Sequence, residues 1–139
     1  MTGLEAVTAA AVYINQNKAA VFGGKDGSVF KYEKEDGYSG EYIAVNSLPF
    51  VHRDAIEICT VNVNVHVPKL KTNQPNTSRL SAIVKEVVKL FPTDDDYGVF
   101  LNGAYFRFFA DSRPVADKDD TYYVNIELDC TICNRKVTN

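Results

Sequence analysis

Several things are missing from this chain of 139 residues, and each absence closes a class of function. There is no block of basic residues: 15 Lys and Arg are scattered among 18 Asp and Glu, for a formal net charge of -3. A groove that binds nucleic acid by neutralising phosphates is therefore not indicated. No apolar run approaches the roughly 20 residues that a bilayer-spanning helix needs. The opening segment, MTGLEAVTAAAVYINQNK, lacks the basic n-region of a secretory signal and is interrupted by polar residues. A soluble protein made in the cytoplasm is the expectation. Cysteine is scarce and odd in number, Cys59, Cys130 and Cys133, which argues against a disulfide framework and fits reduced thiols. The segment FGGKDG lacks the GKS/T ending of a phosphate loop, and TDDDYG lacks the ligand spacing and closing Glu of a calcium loop. No internal repeat indicates a solenoid.

What is present is ordinary globular composition, 45% apolar and 24% charged, in a length that suits one domain. Thr2-Gly3-Leu4-Glu5 has the form of a capping box, and Leu4, Val7, Ala11 and Ile14 fall on one face of a helix expected from about residue 3 to 17. Residues 18–40 hold most of the glycines and read as an irregular, flexible arm, with SVFKYEK as a short strand bringing Val29 and Phe30 near the core. EYIAVNSLPF reads as a strand. In EICTVNVNVHVP, Cys59, Val61, Val63, Val65 and Val67 point one way, and Thr60, Asn62, Asn64 and His66 the other. Asn76, Thr77 or Ser78 caps a second helix, in which Leu80, Ile83, Val84, Val87, Leu90 and Phe91 recur at helical spacing until Pro92. Asn102-Gly103 signals a type I′ hairpin. A charged loop at about 111–121 leads to the last strand, YYVNIELDCTIC, with Tyr122, Val124, Ile126, Leu128, Cys130 and Ile132 inward and Asn125, Glu127, Asp129 and Thr131 outward.

The order helix, strand, strand, helix, strand, strand predicts a single α+β domain: an antiparallel or mixed sheet with helices packed on one face and a polar face left open. Three kinds of chemistry are candidates for that face. A metal site from Cys130-Thr131-Ile132-Cys133 with Cys59, His52 and His66 meets a geometric objection, since residues i and i+3 of a strand point to opposite sides. Cys59 and Cys130 are better read as small core residues and Cys133 as lying near a fraying end. A Cys–His nucleophile is opposed by the same alternation, because Cys59 and His66 lie on different faces. Glu127 and Asp129 are neighbours suited to acid-base work, but they are better read as part of a solvated strand face. The expectation is no catalysis, no cofactor and no metal, with Asn62, Asn64, His66, Asn125, Glu127 and Asp129 forming a hydrated face.

The succession of YIAVNSLPF, VNVNVHVPKL, SRLSAIVKEVVKLF and YYVNIELDCTI resembles the tail terminator proteins of long-tailed bacteriophages and prophages, over roughly residues 3–133. The resemblance implies a small α+β structural subunit, not an enzyme, that assembles as a ring, expected to be a hexamer. Such a ring stops growth of the tail tube and joins tail to head in the host bacterial cytoplasm and in the virion. It implies tail-tube and head-connector proteins as partners, with DNA passing through the lumen and no sequence-specific recognition of it. The six polar residues are then a lumen lining or a subunit contact. The alternatives are another head-tail connector or tail-tube-related ring subunit, and a small-molecule-binding α+β domain.

Overall fold

The chain is described by a computed structural model covering residues 1–52, 55–94 and 97–133. Asp95 and Asp96 of the acidic turn lie outside the described residues. Helix α1 (Gly3–Gln16) begins with the expected capping box: Glu5 N–H donates to Thr2 Oγ1 at 3.2 Å, and Thr2 N–H donates to Glu5 Oε1 at 3.1 Å. Its buried stripe is Ala6, Val7, Ala10, Ala11 and Ile14. The alanines give a narrow face that packs close to the sheet. Leu4, expected on that stripe, is instead 69% exposed, because it belongs to the first turn and nothing covers it among the described residues.

The stretch expected to be irregular apart from the short strand at SVFKYEK holds one further ordered piece. A single helical turn, α2 (Lys18–Val21), ends in fully buried Phe22, and a short strand, β1 (Ser28–Lys31), follows. Strand β1 runs parallel to β2 (Tyr42–Ser47), with Ser28 opposite Tyr42 and Lys31 opposite Val45. Val29 packs against the core as expected, while Phe30 does not: alternation turns it to the other face, where it meets Tyr38 and Tyr42 edge-on.

Two long strands carry the rest. Strand β3 (Ile56–Pro68) pairs antiparallel with β2 and, along its whole length, with β7 (Thr121–Cys133). Between them lies α3 (Thr77–Leu90), capped by Asn76, whose side-chain oxygen accepts from Arg79 N–H at 3.2 Å. Arg79 also pairs with Glu41 at 2.5 Å and donates to the Phe22 carbonyl, so α3, α2 and the start of β2 are tied together. Strands β4 (Val99–Leu101) and β5 (Ala104–Asp111) form the expected hairpin around Asn102 (φ 48°) and Gly103 (φ 98°).

The segment 111–121, expected to be a loop, is partly strand. Beyond a bulge at Phe108–Ala110 and the turn after it, β6 (Val115–Ala116) pairs with Tyr122 and Tyr123 of β7, extending the line that β5 makes along Ile126–Ile132. Between them Ser112 N–H donates to Asn125 O at 2.8 Å, and Asn125 N–H donates to Ser112 Oγ at 2.9 Å.

Among the described residues the sheet runs β1-β2-β3-β7-β5-β4, with only β1–β2 parallel. Helix α1 touches both β1 and β4, the opposite ends of that order, so the sheet curls about it into a half-barrel. Helix α3 covers β3 and β7. The core lies between: Val61, Val63, Val65, Ile126 and Leu128 are fully buried with Ile83, Val87 and Phe91, and Leu80 and Val124 are nearly so. This is the single α+β domain that the two periodicities imply, with helices on one face and the other face open.

Candidate functional site

Pairing register sorts the open face into rows that cross the sheet, because alternate residues of each strand project from it. At one end, Tyr42, His66 and Tyr123 stand side by side. The next two rows hold Ala44, Asn64 and Asn125, then Asn46, Asn62 and Glu127. Thr60, Asp129 and Arg107 follow. Last comes an apolar row, Ile58, Thr131, Tyr105 and Phe100. All six residues expected on a common face are therefore on it, in neighbouring rows.

They do not share one environment. The amides form a closed network: Asn62 Nδ2 donates to Asn46 Oδ1 at 3.0 Å, and Asn125 Nδ2 donates to Asn64 Oδ1 at 2.8 Å and to Asn62 Oδ1 at 3.2 Å. Asp129 lies opposite Arg107, yet burial raises its carboxyl above the usual range against the pull of that guanidinium.

His66 departs furthest from expectation. A hydrated, outward imidazole was implied, but the residue is only 6% exposed. The Tyr42 ring stacks on it at 4.2 Å with planes 9° apart, and the Tyr123 ring lies 5.0 Å away on its neighbouring strand. Burial lowers the His66 pKa below the ordinary histidine value, against the opposing pull of Asp119 and Asp117.

Asp117 and Asp119 come from the turn between β6 and β7. That turn is fixed by Asp117 N–H donating to Thr121 O at 2.9 Å, by Lys69 N–H donating to Asp120 O at 3.0 Å, and by Asp120 in a left-handed conformation (φ 63°). Asp119 accepts from the Tyr42 hydroxyl at 2.5 Å, from Thr121 N–H at 3.2 Å and from the Thr121 hydroxyl. Burial pushes its carboxyl up, but the hydrogen bonds from Thr121 and Tyr42 and the charge of His66 together leave it below the usual carboxylate range. The Tyr42 phenol is raised far above its ordinary value by burial, then by the bond to Asp119. Lys34 Nζ sits 3.6 Å from Asp119 Oδ2, and His66 Nδ1 is 3.0 Å from Thr121 Oγ1 and 3.6 Å from Asp117 Oδ2. Tyr42, His66, Asp117, Asp119 and Lys34 line a cavity of about 440 Å³ that opens beside the Lys34 segment.

Tyr42, Asp117, Asp119, Thr121 and Lys34 were not singled out from the sequence. For Asp117, Asp119 and Thr121 the one local signal is the run DKDDT at the start of a strand. Its meaning depends on Thr121 standing opposite Pro68, which brings the turn back over His66.

The cysteines are not gathered. Cys59 and Cys130 stand directly opposite each other on the core face, while Cys133 is exposed on the other side, as alternation requires. Burial raises the Cys130 thiol to about 12 and, with the charge of Glu57, raises Cys59 as well. His52 is held 3.2 Å from buried Glu57, away from His66.

The opposite end of the face is apolar and uncovered among the described residues. Ile58 is 68% exposed and Phe100 58%, with Ile56 and Tyr105 also exposed. Tyr105 packs edge-on to Phe100 at 4.9 Å and lies 5.4 Å from Tyr97. The bulge in β5 turns out one further ring, Phe109, to 63% exposure. Among the described residues no helix is long and apolar enough to cross a membrane. Neither a family model nor a curated protein matches the chain.

Proposed function

We propose that this chain is a structural subunit of the tail-terminator type, which associates with copies of itself into a ring, expected to be hexameric, and joins a phage tail tube to a head connector. One observation carries the reading: the apolar row Ile58, Thr131, Tyr105 and Phe100, extended by Ile56, lies at one end of an open sheet face that is otherwise polar. Contiguous exposed apolar surface rimmed by polar groups marks association sites on soluble domains. A ring also needs two different surfaces per subunit, since its contacts are heterologous. The sheet offers two unlike edges, β1 and β4, at the ends of its strand order. The rows holding Asn62, Asn64, Asn125, Glu127 and Asp129 are then the hydrated part of the face, toward the lumen or the rim of a subunit contact. A polar, net acidic surface suits a passage for DNA, which it repels. The subunit assembles with tail-tube and connector proteins in the host cytoplasm and remains in the virion; no chemistry is assigned to it.

The test is mass by light scattering across a concentration series, with negative-stain imaging of the largest species. Rings with a central hole are the expected result. A monomer at every concentration, alone and mixed with purified tail tubes, overturns the reading. Glu127→Lys with Asp129→Lys should still assemble but impair joining of tails to filled heads in a complementation assay.

A further inference from the structure

His66, Asp117 and Asp119 come from separate places in the chain, yet one ligating atom of each lies within 4.8 Å of the other two. We propose that they form a binding site for one divalent transition-metal ion. The separation of His66 Nδ1 and Asp117 Oδ2, 3.6 Å, is close to the ~3.4 Å edge of a tetrahedron with metal–ligand bonds of about 2.1 Å. The imidazole cannot swing away, because it is buried and stacked between the rings of Tyr42 and Tyr123. The Asp119 carboxylate is oriented by Tyr42 and Thr121, the kind of outer hydrogen bonding that positions ligating carboxylates. The Thr121 hydroxyl donates to Asp119 and lies 3.0 Å from His66 Nδ1, so an ion on that nitrogen requires the tautomer with its proton on Nε2 and leaves Thr121 bonded to Asp119.

Charge points the same way. The cavity is lined by four carboxylates, Glu33, Asp36, Asp117 and Asp119, against the two ammonium groups of Lys34 and Lys118. With His66 neutral, two negative charges are left over, which a divalent ion balances. Mixed imidazole and carboxylate donors favour zinc, iron or manganese over calcium and magnesium, which prefer all-oxygen sites. The cavity is open, so water completes the coordination. Lys34, 3.6 Å from Asp119, is the counter-ion that the metal displaces. An ion there would clamp the turn between β6 and β7 onto β3, which holds whether or not the chain forms a ring.

The experiment is calorimetric titration of the full chain with Zn²⁺, and in parallel with Mg²⁺ and Ca²⁺. A Cys133→Ser background removes the exposed thiol, and Co²⁺ absorption reports the donor set. One Zn²⁺ per chain, bound more tightly than Ca²⁺, is expected. Asp117→Asn should weaken it at least about tenfold while leaving circular dichroism unchanged, because Asp117 is partly exposed and its turn is held through its backbone. His66→Gln should do the same, and Lys34→Met should tighten binding by removing the competitor. The proposal is overturned if the parent binds no Zn²⁺ at ~1 mM, if Asp117→Asn and His66→Gln both leave the affinity unchanged, or if the Co²⁺ spectrum shows no nitrogen donor.

Discussion

At one end of the open face a buried histidine lies between two tyrosine rings, with Asp119 accepting from Tyr42 and facing Lys34, and Asp117 beside the imidazole. At the other end, isoleucine side chains and aromatic rings face water. Both ends rest on the same two strands, β3 and β7, and on the same core. The first end is built from contacts within the chain, so its properties belong to the single subunit. The second leaves apolar surface uncovered among the described residues, and on the proposed function that surface is where subunits meet. Substitutions at the two ends should accordingly fail in different assays.

The largest effect should erase the comparison by removing what the two ends share. Val63 is fully buried midway along β3. Val63→Asp places an unpaired charge there, at a cost of several kcal/mol, the same order as a domain's total stability of about 5–15 kcal/mol. Loss of the cooperative melt and of native circular dichroism is expected. A melting temperature equal to the parent's would refute the strand's placement.

Next in size is Gly98, which precedes the β4–β5 hairpin at the apolar end. Its φ is +89°, and an added Cβ would run into the Phe106 carbonyl. Gly98→Ala therefore combines a strained backbone with a clash against backbone, for about 1–3 kcal/mol. Chemical denaturation should show the loss, and the hydrogen-exchange protection of β4 and β5 should fall more than that of β2.

Much of this could be read from residue order, and the boundary is physical. The capping box at Thr2, the period of α3, the alternation of β3 and β7 and the Asn102-Gly103 turn are local patterns, and local geometry decides them. What could not be read depends on contacts far apart in the chain. A short strand at SVFKYEK was legible, but its parallel pairing with β2 was not, and its Gly-rich surroundings give no hint of that edge. His66 is polar and on the outward face, which alone implies hydration. It is buried because Tyr42 and Tyr123 flank it in register and because Asp117 and Asp119 arrive from more than fifty residues away. Ile56 and Ile58 sit on the polar phase of β3, where alternation should have placed hydrophilic residues. That break in the pattern, visible in EICTVNVNV, was the one local sign of the apolar end.

The histidine end can be probed by acid, with a chelator present. The folded state holds the His66 pKa below the ordinary value of 6.5, chiefly by burial, against the pull of Asp119 and Asp117 and with a small contribution from Lys34. The unfolded chain then takes up the proton first. Stability is full above 6.5, declines as pH falls below it, and the loss is complete below the depressed folded value. Asp119 adds a second loss at lower pH, beginning below its ordinary 3.8. His66→Gln should flatten the upper part of the profile and leave the lower part. Tyr42→Phe, which removes a bond to the Asp119 carboxylate, should cost about 1–3 kcal/mol at neutral pH and shift the lower loss upward. An unchanged profile in both variants would mean that the cluster does not couple to folding.

The smallest effect on stability should come from the apolar end, and there the contrast is sharpest. Ile58 and Phe100 are more than half exposed and lie in one row, linked through Thr131 and Tyr105. Replacing both by lysine removes little buried area, and exposed substitutions usually move stability by no more than about 0.5 kcal/mol. A charge pair in that row would, however, be desolvated in any contact that covers it, which costs far more than it does on a free surface. Ile58→Lys with Phe100→Lys should thus melt like the parent, keep the acid profile of the histidine end, and remain monomeric at concentrations where the parent associates. Light scattering and a thermal melt on the same samples decide it. If the double variant associates as the parent does, the contact lies elsewhere on the subunit. If it unfolds, the row is part of the core and the division between the two ends fails.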